Sequence, residues 1–299
     1  MRSVAAARRG AGRSNVGSGS LETRRDGIGI EFISVLGLPP VEFVELAADL
    51  GCRCIGIALE PIVRSKPYPK WSLRDDADLR RNMVNALQRC DVRIQLGEGF
   101  LVWPNKDIRD TSADLDLMCE LGAKQVNILG LDPDRGRTFD QCAIFAELAE
   151  DRGLGATLEF MPGLCIGDFE TAISAIRHAG RQNFRVLIDA MHFFRSGSKV
   201  SQLAAVDPQL IGHVQICDVP LTLAGLSYAD EARFARLPPG EGGLPLLELL
   251  AALPAHASIG IEVPMLARAE DGIGPQERLA PCLKSTWELI RQADGLRQH

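Results

Sequence analysis

From about residue 27 onward the chain repeats one alternation: a short run of β-branched and aliphatic residues, then a longer stretch with helical spacing of its apolar positions. The strand candidates are 28–36 (IGIEFISVL), 52–60 (CRCIGIALE), 93–102 (RIQLGEGFLV), 124–131 (KQVNILGL), 155–161 (GATLEFM), 184–191 (FRVLIDAM), 211–219 (IGHVQICDV) and 258–263 (SIGIEV). Between them lie helix candidates such as PVEFVELAADLG, DLRRNMVNALQRC, TFDQCAIFAELAEDRG and FETAISAIRHAG. Thr138 and Gln141 stand at capping-box spacing at the start of the third. Strands that alternate with helices pair in parallel, and eight such units predict a closed (β/α)₈ TIM barrel, α/β in class, as one domain over residues 27–299. A doubly wound sheet would need a glycine-rich phosphate turn after its first strand; the turn here, VLGLPPVEF, has none.

The 26 residues before the barrel carry six arginines against Glu22 and Asp26, among serines, glycines and alanines. They contain no apolar segment of a secretory signal and are expected to form a disordered tail. The whole chain has a formal charge of -6, so the barrel itself carries about -10. An acidic body argues against a nucleic-acid backbone as ligand. No apolar run approaches the ~18 residues of a membrane span. The eight cysteines form no CxxC pair and read as reduced thiols of a cytosolic protein, in the cytoplasm, with a small molecule as substrate. A homo-oligomer is left open.

In a barrel of this kind the strands deliver their functional side chains at their carboxyl ends. Side chains alternate along a strand, so the apolar residues that face helices fix which neighbours face inward. With Leu158 and Phe160 outward, Thr157 and Glu159 point in; with Val186 and Ile188 outward, Asp189 points in. By the same parity His213 and Gln215, then Gly260 and Glu262, face the interior. Four successive strands thus each direct an oxygen-bearing side chain to one end. Three converging carboxylates repel one another unless protonated or neutralised, and a divalent cation neutralises them. Asp189 is read as a metal ligand, with His192 beyond it where a substrate would lie. A single acid at a strand end is also an ordinary turn or helix-cap residue. His213, one layer deeper than Gln215, is expected to be structural. Glu60 and Glu98 end the second and third strands and are candidates for substrate contact or for the solvent face.

The segments TLEFMPG, LIDAMHFFRSG, HVQICDVP, PPGEGGLPLLELL and IGIEVP resemble, in order, motifs of the sugar phosphate isomerase/epimerase-like (xylose isomerase-like) TIM barrels. The resemblance is architectural from residue 27 to about 292 and specific from Glu159 onward. It implies one divalent metal ion, Mn²⁺ or Mg²⁺ before Co²⁺ or Zn²⁺, held by Glu159, Asp189, Gln215 and Glu262. It also implies a substrate-contacting role for His192. The third ligand is commonly histidine; Gln215 in HVQI-x-D is similar to the hydroxypyruvate isomerase branch, although a 20-odd-residue insertion follows Asp218.

The resemblance further implies proton abstraction next to a carbonyl, through an enediolate, by a metal-dependent isomerase or epimerase acting on a small sugar-like or keto-acid substrate. Glu159 and Glu262 are the expected acid/base pair. Arg233 and Arg236, with Glu98, are candidates to bind substrate. The alternative is a lyase on the same scaffold, a dehydratase of a dehydroshikimate- or inosose-like ring, which Phe160, Phe193 and Phe194 near the site would suit. The DNA-repair endonuclease branch builds its site from many histidines, and five in all disfavour it here.

Overall fold

The structure, a computed structural model, describes residues 27–66, 68–223 and 225–297. The expected tail over residues 1–26 lies outside the described residues. Eight parallel strands close on themselves in chain order: β1 Ile28–Ile30, β2 Cys54–Ala58, β3 Arg93–Val102, β4 Gln125–Gly130, β5 Gly155–Glu159, β6 Phe184–Asp189, β7 Ile211–Ile216 and β8 Ser258–Ile261. The seam is made by β1 on β8, with Gly29 opposite Gly260 and Ile30 opposite Ile261. This is the TIM barrel expected from the alternation, a single domain with helices between the strands.

Two local expectations are corrected. The first strand stops at Ile30 rather than running to residue 36. Phe32–Val35 coils into a 3₁₀ turn, closed by Leu36 at φ 54°. Those apolar residues are buried without belonging to the sheet, so hydrophobicity alone misled the boundary. The helix expected to open at Thr138 begins a turn earlier, at Arg135, with Asp134 as its N-cap accepting from the Arg137 N–H. Thr138 instead donates to the Asp132 carbonyl, and Gln141 accepts the Ile108 N–H from a neighbouring segment.

Leu158, Val186, Ile188, Val214 and Ile216 are buried in the layer between strands and helices. Phe160, Phe169 and Phe193 meet edge-to-face in the same layer. The rings of Phe160 and Phe193 are therefore core, and they give no support to a flat-ring substrate. Cys119 is exposed, unlike the buried Cys52, Cys54, Cys142, Cys217 and Cys282.

Candidate active site

Strand β6 ends on Asp189, and the chain turns at once into the helix Ala190–Arg195. Asp189 is the N-cap of that helix: Oδ1 accepts the His192 N–H at 2.8 Å. The D-x-x-H spacing is thus capping geometry, which places the imidazole on the first turn directly over the strand end. The other oxygen, Oδ2, is ion-paired with Arg236. One oxygen of this carboxylate thus caps the helix while the other faces the arginine.

The remaining inward positions arrive beside it. Gln215 sits opposite Asp189 across the β6–β7 pair, and Gly260 sits opposite Gln215 across β7–β8, two residues before Glu262. Glu159 is held by Asn127, whose Nδ2 donates to Oε2 at 2.7 Å, while Thr157 orients the amide by donating to Oδ1 at 3.0 Å. His192 Nε2 lies 3.4 Å from the second Glu159 oxygen, and Nδ1 lies 3.7 Å from Asp189. Glu159, Asp189 and His192 each offer an atom within 4.8 Å of the others, close enough to share one ion. Glu262 joins them through Arg236, whose Nη1, paired with Asp189, is also 2.9 Å from Glu262 Oε2.

The charges are unevenly balanced. Burial opposes ionisation of Asp189, but Arg236 and the neighbouring His192 outweigh it and hold the carboxyl at about 2. Burial pushes Glu262 well above the usual carboxylate range; Arg236 pulls it back, and the charges of Asp189, Glu159 and Glu31 push it up again. Glu98 is also raised, by burial first and then by Glu31, Glu262 and Glu159. One arginine therefore does not neutralise this end of the barrel. Gln215 is wholly buried, and both its Oε1 and Nε2 lack a partner in the protein. A buried amide left unpaired costs about 1–3 kcal/mol. An oxygen-seeking cation at Oε1, with a carboxylate or substrate accepting from the amide, would remove that cost, so the donor set fits a divalent ion.

Arg236 and Arg233, the expected substrate-binding arginines, sit in different surroundings. Arg236 is buried, with Nε on the Ala232 carbonyl and Nη1 on Asp189, Glu262 and the Cys217 sulfur. Arg233 is exposed, bonded to the Ala229 carbonyl and lying over the Phe234 ring. Glu60 is exposed and paired with Arg74. Glu98 is buried, within reach of the charges of Glu31, Glu262 and Glu159.

The family model for the xylose isomerase-like TIM barrel matches residues 44–275. The chain belongs to this family. Inosose isomerase of Bacillus velezensis is 29% identical over 110 residues, 36% of this chain and 38% of that protein, so the match spans well under half of the curated relative. Among solved structures, the IOLI protein with a bound zinc atom superposes with a TM-score of 0.74 at 18% identity, covering 89% of this chain and 98% of that one. A probable 3-DHS dehydratase, AsbF of Bacillus anthracis, superposes at 0.68 with 13% identity over 87% and 98%. D-psicose 3-epimerase of Clostridium cellulolyticum H10 gives 0.65 at 16% over 88% and 99%. The protein is an enzyme of the xylose isomerase-like family, and at these identities the solved structures establish its fold.

Within that family frame, the insertion after Asp218 is tied down at both ends. Asp218, buried, accepts the N–H groups of Val219, Gly240 and Leu244 and so pins the PPGEGG segment. A Cβ on Gly242 would lie 2.2 Å from its Oδ1, which explains a glycine there. The segment between contributes Tyr228, whose hydroxyl reaches His192 Nδ1. The sequence reading missed Asn127, Tyr228 and Glu31. Asn127 had a usable signal, the same inward parity on β4 as Glu159 on β5; Tyr228 had none.

Proposed function

We propose that the enzyme is a divalent-metal-dependent isomerase or epimerase of an uncharged polyhydroxy ketone, with Glu159, Asp189, Gln215 and Glu262 holding the ion. The observation that carries the reading is Gln215, an amide with no protein partner set among carboxylates that one arginine cannot neutralise. A bound divalent ion would act as a Lewis acid on the substrate's carbonyl and neighbouring hydroxyl, making the adjacent C–H acidic. Glu159 is oriented by Asn127 to take that proton. Glu262, at the end of the last strand, would return a proton to the enediolate from the other side. His192, over the strand end, would hydrogen-bond a substrate oxygen. Substrate neutrality is supported by the two guanidinia packed around the Asp189–His192 corner: Arg236 is taken by Asp189 and Glu262, and Arg195 by Glu231. The likeness to inosose isomerase supports a cyclic ketone among the substrates to try.

A dehydratase on the same scaffold uses the same proton abstraction and then loses a β-hydroxyl; the fold shared with the 3-DHS dehydratase keeps it as the second reading. The test is turnover of cyclic and linear polyhydroxy ketones by the Mg²⁺- or Mn²⁺-loaded enzyme in D₂O, followed by NMR. Deuterium next to the carbonyl in an isomer of unchanged formula is the expected result. A product short of one water would replace it with the dehydratase reading, and exchange that persists in exhaustive chelator would overturn both.

A further inference from the structure

His192 is carried on Ala190–Arg195, and Tyr228 opens the helix Tyr228–Phe234 from the insertion after β7. These two helices are clasped together. Arg195, at the end of the first, donates from Nη2 to both carboxylate oxygens of Glu231 on the second, each at 3.0 Å. The same arginine holds the Pro220 and Leu221 carbonyls at the root of the insertion, at 2.8 Å each. Glu231 is 2% exposed, so the pair is sheltered from solvent screening. The clasp brings the Tyr228 ring to 5.7 Å from the imidazole, centroid to centroid, with its hydroxyl on Nδ1.

A neutral imidazole has one donor and one acceptor nitrogen, and its partners decide which is which. Nε2 faces a Glu159 oxygen at 3.4 Å, a group that only accepts. Were Nδ1 to carry the proton and donate to the tyrosine oxygen, Nε2 would turn a lone pair on that carboxylate. A phenol can donate, and if it donates to Nδ1 the proton sits on Nε2, so both nearest partners, Tyr228 and Glu159, are met attractively and only the longer 3.7 Å approach of Nδ1 to Asp189 is not. Burial, and then the charge of Asp189, push the Tyr228 hydroxyl up from its ordinary value, so it stays protonated and able to donate.

We propose that Tyr228 is a positioning residue that fixes His192 as the Nε2–H tautomer, making the histidine a hydrogen-bond donor toward Glu159 and substrate and keeping it out of the metal's ligand set. The substrate side of this statement rests on the reading under Proposed function; the tautomer does not. It also separates two ligand sets that geometry alone leaves together, since an Nε2 that bears a proton cannot bind an ion beside Glu159 and Asp189.

The test is the long-range ¹H–¹⁵N spectrum of the imidazoles in the metal-loaded enzyme at pH 8, with His192→Asn assigning the signal among the five histidines. A pyridine-like Nδ1 and a pyrrole-like Nε2 are expected for His192. In Tyr228→Phe the two nitrogens should move toward each other as the tautomers mix, while the melting temperature changes little. The same variant should lose about tenfold in kcat/KM, the value of one hydrogen bond of ~1.4 kcal/mol. Glu231→Ala, which keeps the hydroxyl but opens the clasp, should shift the nitrogens the same way. An Nδ1–H tautomer, two protonated nitrogens, or a pattern unchanged in Tyr228→Phe would overturn the assignment. None of these spectra depends on which substrate is turned over.

Discussion

The seam of the barrel joins two copies of one tetrapeptide. Ile28-Gly29-Ile30-Glu31 closes β1 and Ile259-Gly260-Ile261-Glu262 closes β8, and they pair in register, isoleucine to isoleucine and glycine to glycine. The two glutamates meet different ends. Glu31 drops into the barrel, where Oε1 bonds His213 Nε2 at 2.7 Å and His213 Nδ1 bonds the Ser258 hydroxyl at 2.6 Å. Glu262 stays at the strand end against Arg236. The difference comes from the strands alongside. A Cβ on Gly56 would lie 1.8 Å from one Glu31 oxygen, and a Cβ on Gly260 would lie 1.7 Å from the other. Two glycines on the flanking strands open the hole that Glu31 fills. Identical local sequence thus yields a buried anchor on one strand and a site carboxylate on the next.

The largest effect should come from exchanging each carboxylate for its amide. Glu262→Gln should lower turnover about 10³-fold, within the range of a lost acid/base group, with little change in melting temperature. Glu31→Gln should do the opposite: a loss of about 1–3 kcal/mol in stability from the weakened His213 bond, and turnover within a few-fold of the parent. Parallel turnover and denaturation measurements on the two variants decide it. If Glu31→Gln is the inactive one and folds normally, the two tetrapeptides have the reverse roles.

A smaller effect probes the hole itself. Gly260→Ala should destabilise by about 1–3 kcal/mol, because its methyl group collides with a carboxylate that has no second place to go. In a Glu31→Ala background the same substitution should cost at least ~1 kcal/mol less, a coupling expected of residues in contact. Additive losses in urea denaturation would mean that Glu31 does not occupy the space over Gly260.

Much of this was readable from parity. Period-two alternation on β5 to β8 sends Glu159, Asp189, Gln215 and Glu262 inward, and the structure brings all four to one end. What parity does not supply is depth. Glu31 shares the inward sense of Glu262, and the repeated IGIE was visible, yet only cross-strand glycines send its carboxylate downward. His213, read as structural from its layer, has its partner in Glu31, 182 positions away. Arg236 and Tyr228 come from a segment without sheet or long-helix periodicity, placed by the Asp218 and Arg195 contacts. No spacing rule announces such residues, nor that Arg236 is ion-paired with Asp189 and Glu262.

The smallest effect belongs to Glu98, which lies between the two glutamates in character. Its Oε1 and the free Oε2 of Glu31 are both buried without a donor, and both approach the space above Gly56. A proton on Glu98 would join them, and burial followed by the charges of Glu31, Glu262 and Glu159 pushes its pKa in that direction. Above the ordinary carboxylate pKa of about 4.5 the unfolded chain releases this proton while the folded chain keeps it. Stability of the chelator-treated protein should therefore fall as pH rises from about 5 to 8, by a fraction of the roughly 1.4 kcal/mol per pH unit that one proton allows. Asp189, held at about 2, acts in the other direction and only below pH 4, so it does not mask the slope. Glu98→Gln imitates the protonated acid in shape and in donating to Glu31. It should change stability at pH 5 by less than about 1 kcal/mol and flatten the slope, leaving the part that comes from Glu262. Urea denaturation at four pH values measures both. A variant whose slope matches the parent would show that Glu98 is ionised in the folded barrel and that the pair with Glu31 holds no proton.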